Sequence, residues 1–302
     1  MLDDAVRFLA CSQCGGGLAR TDTVLRCLAG HAFDIARQGY VSLLPPGGRA
    51  PAGDTARMVA ARAEFLAAGH YASLAGELAR AARVVITESA ASTDVAVPGC
   101  VADVGAGPGY YLAAVLDELP DRAGLALDTS RFALRRAARA HPRAGAVAAD
   151  AWHRLPVADA AAAVVLNVFA PRDGAELRRI LHPAGALLVV TPNPGHLAEL
   201  ARPLRLLSVD PRKEERLAGT LGPYFELVRY QSHEAQLWLD HQGIAAAAAM
   251  GPSAWHVNAA TVAGQIRDLP CRLPVTLSVT LTTFAPRGGI LSAEDAGHRG
   301  RL

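Results

Sequence analysis

The stretch "VADVGAGPGYY", residues 101–111, reads as a buried strand that runs into a glycine loop and then a helix. Its glycines are Gly105, Gly107 and Gly109. A dinucleotide-binding loop of the form G-x-G-x-x-G would place its third glycine at position 110, where this chain carries Tyr110. A phosphate-binding Walker loop would end in G-K-[ST], and none follows. What remains is an acidic residue, Asp103, ahead of three glycines at alternate positions. Glycine adopts φ > 0 freely and has no side chain, so a ligand can lie directly across such a turn.

Outward from this loop the chain alternates. "CVADVG", "GLALD", "GAVAAD", "AAAVVLNVF" and "GALLVVT" are strand-like, and "YYLAAVLDEL", "RFALRRAARA" and "DGAELRRIL" between them are helical. Strands alternating with helices predict an α/β fold, a parallel sheet with helices on both faces. In such sheets ligands lie at the carboxyl ends of the strands. An acidic residue two positions before G-x-G-x-G, after an apolar strand, is the pattern of S-adenosylmethionine (SAM) enzymes. Asp103, Gly105, Gly107 and Gly109 are therefore expected cofactor residues, with Tyr111 and Leu112 opening the helix behind them. Asp128 ends the second strand, where a carboxylate can accept both ribose hydroxyls. Asp150 ends the third, in reach of the adenine amino group. "NVFAP", residues 167–171, ends the fourth beside the expected methyl-transfer point. The fold class is a Rossmann-like SAM-dependent methyltransferase.

The N-terminal region has a different character. "CSQC" (11–14) and "CLAGH" (27–31) place three of the chain's five cysteines and one histidine in 31 residues. Cys11, Cys14, Cys27 and His31 form C-x2-C-x12-C-x3-H, two tight pairs that can supply the four corners of a zinc tetrahedron. Gly15, Gly16, Gly17 and Gly30 suit the turns that bring backbone N–H groups near sulfur. A segment this short has too little core to hold itself, and a metal substitutes for it. With all four positions filled by protein the zinc is structural. Cys100 and Cys271 stand alone and read as ordinary packing or surface residues.

Four regions are expected: a zinc ribbon over 1–43, a linker and helical connection over 44–98, the methyltransferase domain over 99–286 and a flexible tail over 287–302. "PPGGRAPAG" (45–53) reads as a linker. Residues 54–83 have helical periodicity broken near Gly69, and 87–99 read as a polar break. Two late strands are expected near "FELVRYQ" and "PVTLSVTLTTF". The net charge of +2 argues against a massive non-specific nucleic-acid binder but leaves room for a local patch. Lys213 is the only lysine beside 29 arginines out of 30 basic residues, a bias that runs with heavy alanine use. No apolar run reaches the roughly 18 residues of a membrane span. The opening "MLDDAVRFLAC" lacks a secretory pattern, so the cytoplasm is the expected compartment.

The combination resembles the bacterial 23S rRNA guanine-N1 methyltransferases of the RlmA family along nearly the whole chain. The likeness rests on the cysteine pairs followed by "FDIARQGYVSLLP", on "GD", Met58, "AR", "FL" and "AGHY" within 53–71, and on "DVGAGPGYY", "HRLP", "APR" and "NPGHLAEL". It implies that Tyr71 and His196 also contact SAM. It implies a homodimer whose zinc modules and catalytic domains hold a 23S rRNA hairpin that lines the peptide exit tunnel, so that the ribbon docks RNA. "DVGAGPG" and "NVFAPRDG" look more like the actinobacterial branch, some of whose members protect against tylosin-type macrolides. The enterobacterial pattern has an acidic residue in place of Pro108.

Guanine N1 lies on the Watson–Crick edge, so the base must be unpaired or flipped out. Asn167 and the backbone near Ala170 and Pro171 are expected to hold its edge, with Asp150 and His153 as candidate proton acceptors. Two other readings fit parts of the pattern. One is a SAM methyltransferase of a small molecule or carrier protein; the other is a non-catalytic zinc RNA-binding protein on an inactive enzyme fold.

Overall fold

From the N-terminus the elements are α1 (Leu2–Val6), β1 (Leu18–Thr21), β2 (Val24–Cys27), β3 (Ala32–Asp34), β4 (Tyr40–Ser42), α2 (Ala56–Ala67) and α3 (Ala72–Thr93). The alternating region follows: β5 (Cys100–Val104), α4 (Tyr110–Glu118), β6 (Gly124–Asp128), α5 (Arg131–Ala137), β7 (Ala144–Ala148), β8 (Ala162–Val168), α6 (Gly174–Ile180) and β9 (Leu181–Pro192). These are followed by α7 (Ala198–Ala201), α8 (Lys213–Leu221), β10 (Phe225–Asp240), α9 (His241–Met250), α10 (Ala259–Arg267) and β11 (Arg272–Pro286). This computed structural model describes residues 2–45, 53–93, 96–207, 209–210, 212–256 and 258–288. Most of the expected linker (46–52) and of the expected tail (289–302) lies outside the described residues.

Among the described residues, eight strands form one sheet in the order β10-β11-β9-β8-β5-β6-β7-β4. From β4 to β9 all pairings are parallel, and β11 lies antiparallel between β9 and β10. β5, β7 and β8 are buried at every position, as strands covered on both faces must be. The strand order reverses at β5: β6 and β7 lie on one side, β8 and β9 on the other. That switch point opens a crevice at the carboxyl ends.

Three findings depart from the sequence reading. α3 continues through Thr93, across part of the expected polar break. Its late turns are held by the Thr87 hydroxyl, which donates to the Arg83 carbonyl at 2.9 Å, and by a 3.2 Å ion pair between Glu88 and Arg229. β10 is far longer than "FELVRYQ" and β11 extends "PVTLSVTLTTF" by two residues at each end, because every residue of the hairpin but Val228, at a bulge, finds a partner on the other strand. The ribbon's last strand is not in the ribbon sheet. Tyr40–Ser42 pairs in parallel with Ala146–Ala148 as the outer strand of the large sheet. The ribbon's own sheet is β1-β2-β3. The helical break at Gly69 occurs as expected, with φ +80° between α2 and α3.

Candidate active site and metal centre

In the ribbon, the Sγ atoms of Cys11, Cys14 and Cys27 and Nδ1 of His31 all lie within 4.8 Å of one another. Cys14 and Cys27 are 3.7 Å apart, Cys11 and His31 3.5 Å, Cys27 and His31 3.4 Å. Zinc–sulfur bonds of about 2.3 Å and zinc–nitrogen bonds of about 2.0 Å make tetrahedral edges of roughly 3.8 and 3.5 Å. The spacing is that of a zinc cage and too long for a disulfide. Two knuckles build it. Gly15 (φ +74°) donates to the Cys11 carbonyl and Gly30 (φ +87°) to the Cys27 carbonyl. Burial alone would raise the Cys27 pKa, but the His31 and Ala29 amides and the neighbouring cysteines hold it down to about 7. Leu28, at the tip of the second knuckle, is fully exposed.

The second site lies at the switch point. β5 is buried throughout, yet it carries Asp103, whose two carboxylate oxygens have no hydrogen-bond partner among the described residues. Burial, and then the nearby Asp128, push this carboxyl up to about 8. Among the described residues nothing supplies this buried carboxyl with a counter-charge, a cost the fold would not carry for packing alone. A cation set against it would restore the ionised form, and the α-ammonium of SAM is such a cation.

Gly105, Gly107 and Gly109 all have positive φ. A Cβ at Gly105 would lie 2.3 Å from the Ala170 Cβ, and one at Gly109 2.9 Å from the Ala140 Cβ. These two glycines let neighbouring segments close on the loop. Gly107 differs: among the described residues its open side meets only the Arg62 side chain, at 3.5 Å. Asp128 accepts from the amides of Gly107 (2.8 Å) and Ser130 (2.7 Å), one on each oxygen. Each oxygen keeps lone-pair capacity for a ribose hydroxyl. Burial raises the Asp128 pKa, and those two amides oppose the rise.

Asp150 is buried and already engaged: Oδ1 accepts from the Trp152 amide at 3.0 Å and Oδ2 pairs with His153 Nδ1 at 2.8 Å. It ends β7, three strand spacings from β8, or roughly 14 Å. That position suits the far end of a cofactor laid across β5 and β6, and does not suit proton abstraction beside β8. Tyr111 and Leu112 are both buried, and the Leu112 side chain faces Gly124 of β6.

Tyr71 and His196 are brought together from 125 residues apart, with Tyr71 Oη 3.1 Å from His196 Nε2. The Ser278 amide points at His196 Nδ1 at 3.4 Å. Nδ1 is thus the acceptor and Nε2–H donates to Tyr71, which leaves the Tyr71 hydroxyl proton available to a ligand. Burial, with Lys213 nearby, lowers the His196 pKa to about 4, so the ring is neutral at pH 7. Asn167 is fully buried. Its Nδ2 donates to the carbonyls of Val104 (3.2 Å) and Pro171 (3.0 Å), and its Oδ1 has no partner among the described residues. Its amide therefore clamps the loop after β8 onto β5.

Sequence reasoning assigned no role to Asp54, Arg62 or Phe169. Arg62 pairs with Asp54 and donates to the Met250 carbonyl at 2.6 Å, which ties α2 to α9 above Gly107. The Ser130 hydroxyl donates to the Asp54 carbonyl at 2.7 Å. "GD" and "AR" were visible in the sequence, but only the fold brings them over the glycine loop.

A glycine loop at the switch point, an orphan carboxyl on the first strand and a ribose-competent carboxylate on the second define a SAM-dependent methyltransferase, here bearing a zinc ribbon. A family model described as "RlmA, N-terminal" matches residues 9–47. A Micromonospora griseorubida protein, assigned by name to the 23S rRNA (guanine-N1)-methyltransferases, is 50% identical over 296 residues, covering 95% of this chain and 100% of its own. The 23S rRNA (guanine(748)-N1)-methyltransferase of Streptomyces fradiae is 50% identical over 289 residues, covering 95% of this chain and 99% of its own. The chain belongs to the RlmA family of 23S rRNA (guanine-N1)-methyltransferases. Among the described residues no helix is long and apolar enough to cross a membrane.

Proposed function

We propose that this chain methylates N1 of the guanine that corresponds to position 748 of 23S rRNA. The observation that carries the reading is the match to the Streptomyces fradiae enzyme, which runs through both the zinc ribbon and the switch-point crevice. When bound, SAM supplies an electrophilic methyl group on a sulfonium. The chain's residues divide the remaining work. Asp103 faces the ammonium end, Tyr71 the methionine end, Asp128 the ribose and Asp150 the adenine. Gly105, Gly107 and Gly109 form the floor, and Tyr111 and Leu112 hold the helix that follows it. His196 fixes the Tyr71 hydroxyl. Asn167 holds the loop against which the base edge is set, so that positioning supplies most of the rate. The zinc ribbon docks the RNA hairpin.

On the family likeness we further propose a homodimer and protection against tylosin-type macrolides; sedimentation of the purified protein and growth of an expressing host on tylosin test these separately. The central experiment is primer extension on 23S rRNA from a host that lacks the modification. Expression of the chain is expected to stop reverse transcriptase one nucleotide before the target guanine, because N1-methylation removes a Watson–Crick donor. The Asp103→Asn variant is expected to give a weaker stop. Full-length extension with the folded wild-type protein would refute the reading.

A further inference from the structure

We propose that Phe169 is the platform on which the target base stacks for methyl transfer. The inference rests on the methylation reading above and adds the residue that receives the base.

Phe169 follows β8 with φ +54°, a left-handed conformation that is unusual for a bulky side chain. Its neighbours impose it. The Phe169 amide donates to the Val190 carbonyl at 3.1 Å, continuing the β8–β9 pairing. Asn167 Nδ2 then holds the Pro171 carbonyl, and Arg172 Nη2 holds the Ala170 carbonyl at 3.0 Å. Ala170 occupies the space that a side chain at Gly105 would need. The chain is pinned on both sides of one strained residue, and strain that persists under such constraint is characteristic of functional positions.

The constraint holds a large apolar ring partly in the open. Phe169 is 38% exposed. Its ring lies 5.7 Å from His196 (interplanar angle 33°) and 6.3 Å from Tyr71 (48°). Those two rings are anchored by their own hydrogen bond and by Ser278, so they form a backing for Phe169. An aromatic ring with an anchored back and an open remainder suits a second planar group.

Strand order decides which planar group. The cofactor's ribose and adenine belong to Asp128 and Asp150, at the ends of β6 and β7. Phe169 lies on the other side of β5, at the end of β8. The planar ligand on that side is the substrate base. A base removed from its helix loses stacking, and an aromatic side chain replaces it without reading base identity.

The test uses Phe169→Leu, Phe169→Trp and Phe169→Asn in the full-length zinc-loaded protein. Phe169→Leu is expected to lower kcat/KM for 23S rRNA roughly 10- to 100-fold, the range that loss of one base–aromatic stack produces. SAM affinity by calorimetry should stay within about 2-fold, since the adenine lies elsewhere. Phe169→Trp should keep activity within about 5-fold of wild type. Phe169→Asn tolerates the left-handed backbone, so it should melt no lower than Phe169→Leu while losing activity equally. A hairpin with 2-aminopurine at the target position should be quenched by the wild type and Phe169→Trp and not by Phe169→Leu. Wild-type turnover by Phe169→Leu overturns the proposal, as does a parallel loss of SAM affinity, which would make the ring a cofactor wall. If the wild type itself leaves rRNA unmethylated, the methylation reading fails instead.

Discussion

The ribbon and the large sheet sit in one chain but are held together by different physics. In β1, β2 and β3 one or two side chains per strand are buried, and Leu18, Leu25 and Phe33 are the only sizeable ones. In β5, β7 and β8 every residue is buried. The small region needs a metal because it lacks apolar area, whereas the large one can carry an orphan carboxyl because it has area to spare. The seam between them is covalent and packed. Leu2 and Ala5 of α1 lie where a side chain at Gly145 of β7 would be, the Ala10 amide donates to the Pro156 carbonyl, and Tyr40–Ser42 completes the sheet edge. Metal dependence should therefore end near residues 10 and 40.

The largest test of that division removes the metal. Cys27→Ser, or a chelator, is expected to abolish zinc binding that in comparable small domains is worth about 10–16 kcal/mol. Hydrogen exchange should then show lost protection over 11–34 with protection kept in α1 and β4, and SAM affinity should change by no more than about 3-fold, since the core of the sheet is untouched. One zinc per chain retained by Cys27→Ser would break the comparison.

A medium effect is expected at Asp103. Asp103→Asn should weaken SAM binding by about 1.5–3 kcal/mol, the worth of a hydrogen bond to a charged group. It should also stabilise the cofactor-free protein at alkaline pH. The carboxyl's pKa rises from 3.8 to about 8 on folding, so the native state binds more protons between those values and stability falls as pH climbs through that window. Asparagine has no such titration, and the gap between the two melting curves should widen toward pH 8.5. For the same reason SAM binding should release a proton near pH 7, and affinity should rise as pH approaches 8. Calorimetry in buffers of different protonation enthalpy reads this directly; no proton release would mean that the ammonium is held elsewhere.

The smallest effect is expected at Tyr71→Phe, about 0.5–1.5 kcal/mol in SAM affinity, with zinc content unchanged. His196 should stay neutral from pH 5 to 8 in the wild type, as its pKa of about 4 requires. Nitrogen NMR showing an imidazolium at pH 6 would contradict the tautomer assigned to it.

Much of this was readable in one dimension. The glycine loop, Asp128 and the alternating elements are local signals, since the period of a strand or helix and the φ demand of a glycine show in a short window. The zinc ligands are equally local, two pairs on two knuckles. The long hairpin of β10 and β11 was not readable, because polar residues such as Gln231, Ser232 and His233 join a strand only when another strand stands opposite. β4 read as part of the ribbon because its three residues are contiguous with it, while its partner, β7, is a hundred residues away.

Sequence alone established the fold class, the cofactor class, the metal site and, through resemblance, the family, because each rests on residue types at fixed short spacing. Only the tertiary structure decided how the named residues are buried and paired. Asn167 became a clamp, Asp150 is engaged by the Trp152 amide and His153, and Asp103 emerged as a buried carboxyl with no partner among the described residues. Phe169, an ordinary apolar letter in "NVFAP", became a strained and partly open ring. Burial, pairing and backbone strain depend on what other segments bring to a residue, and chain spacing does not encode them.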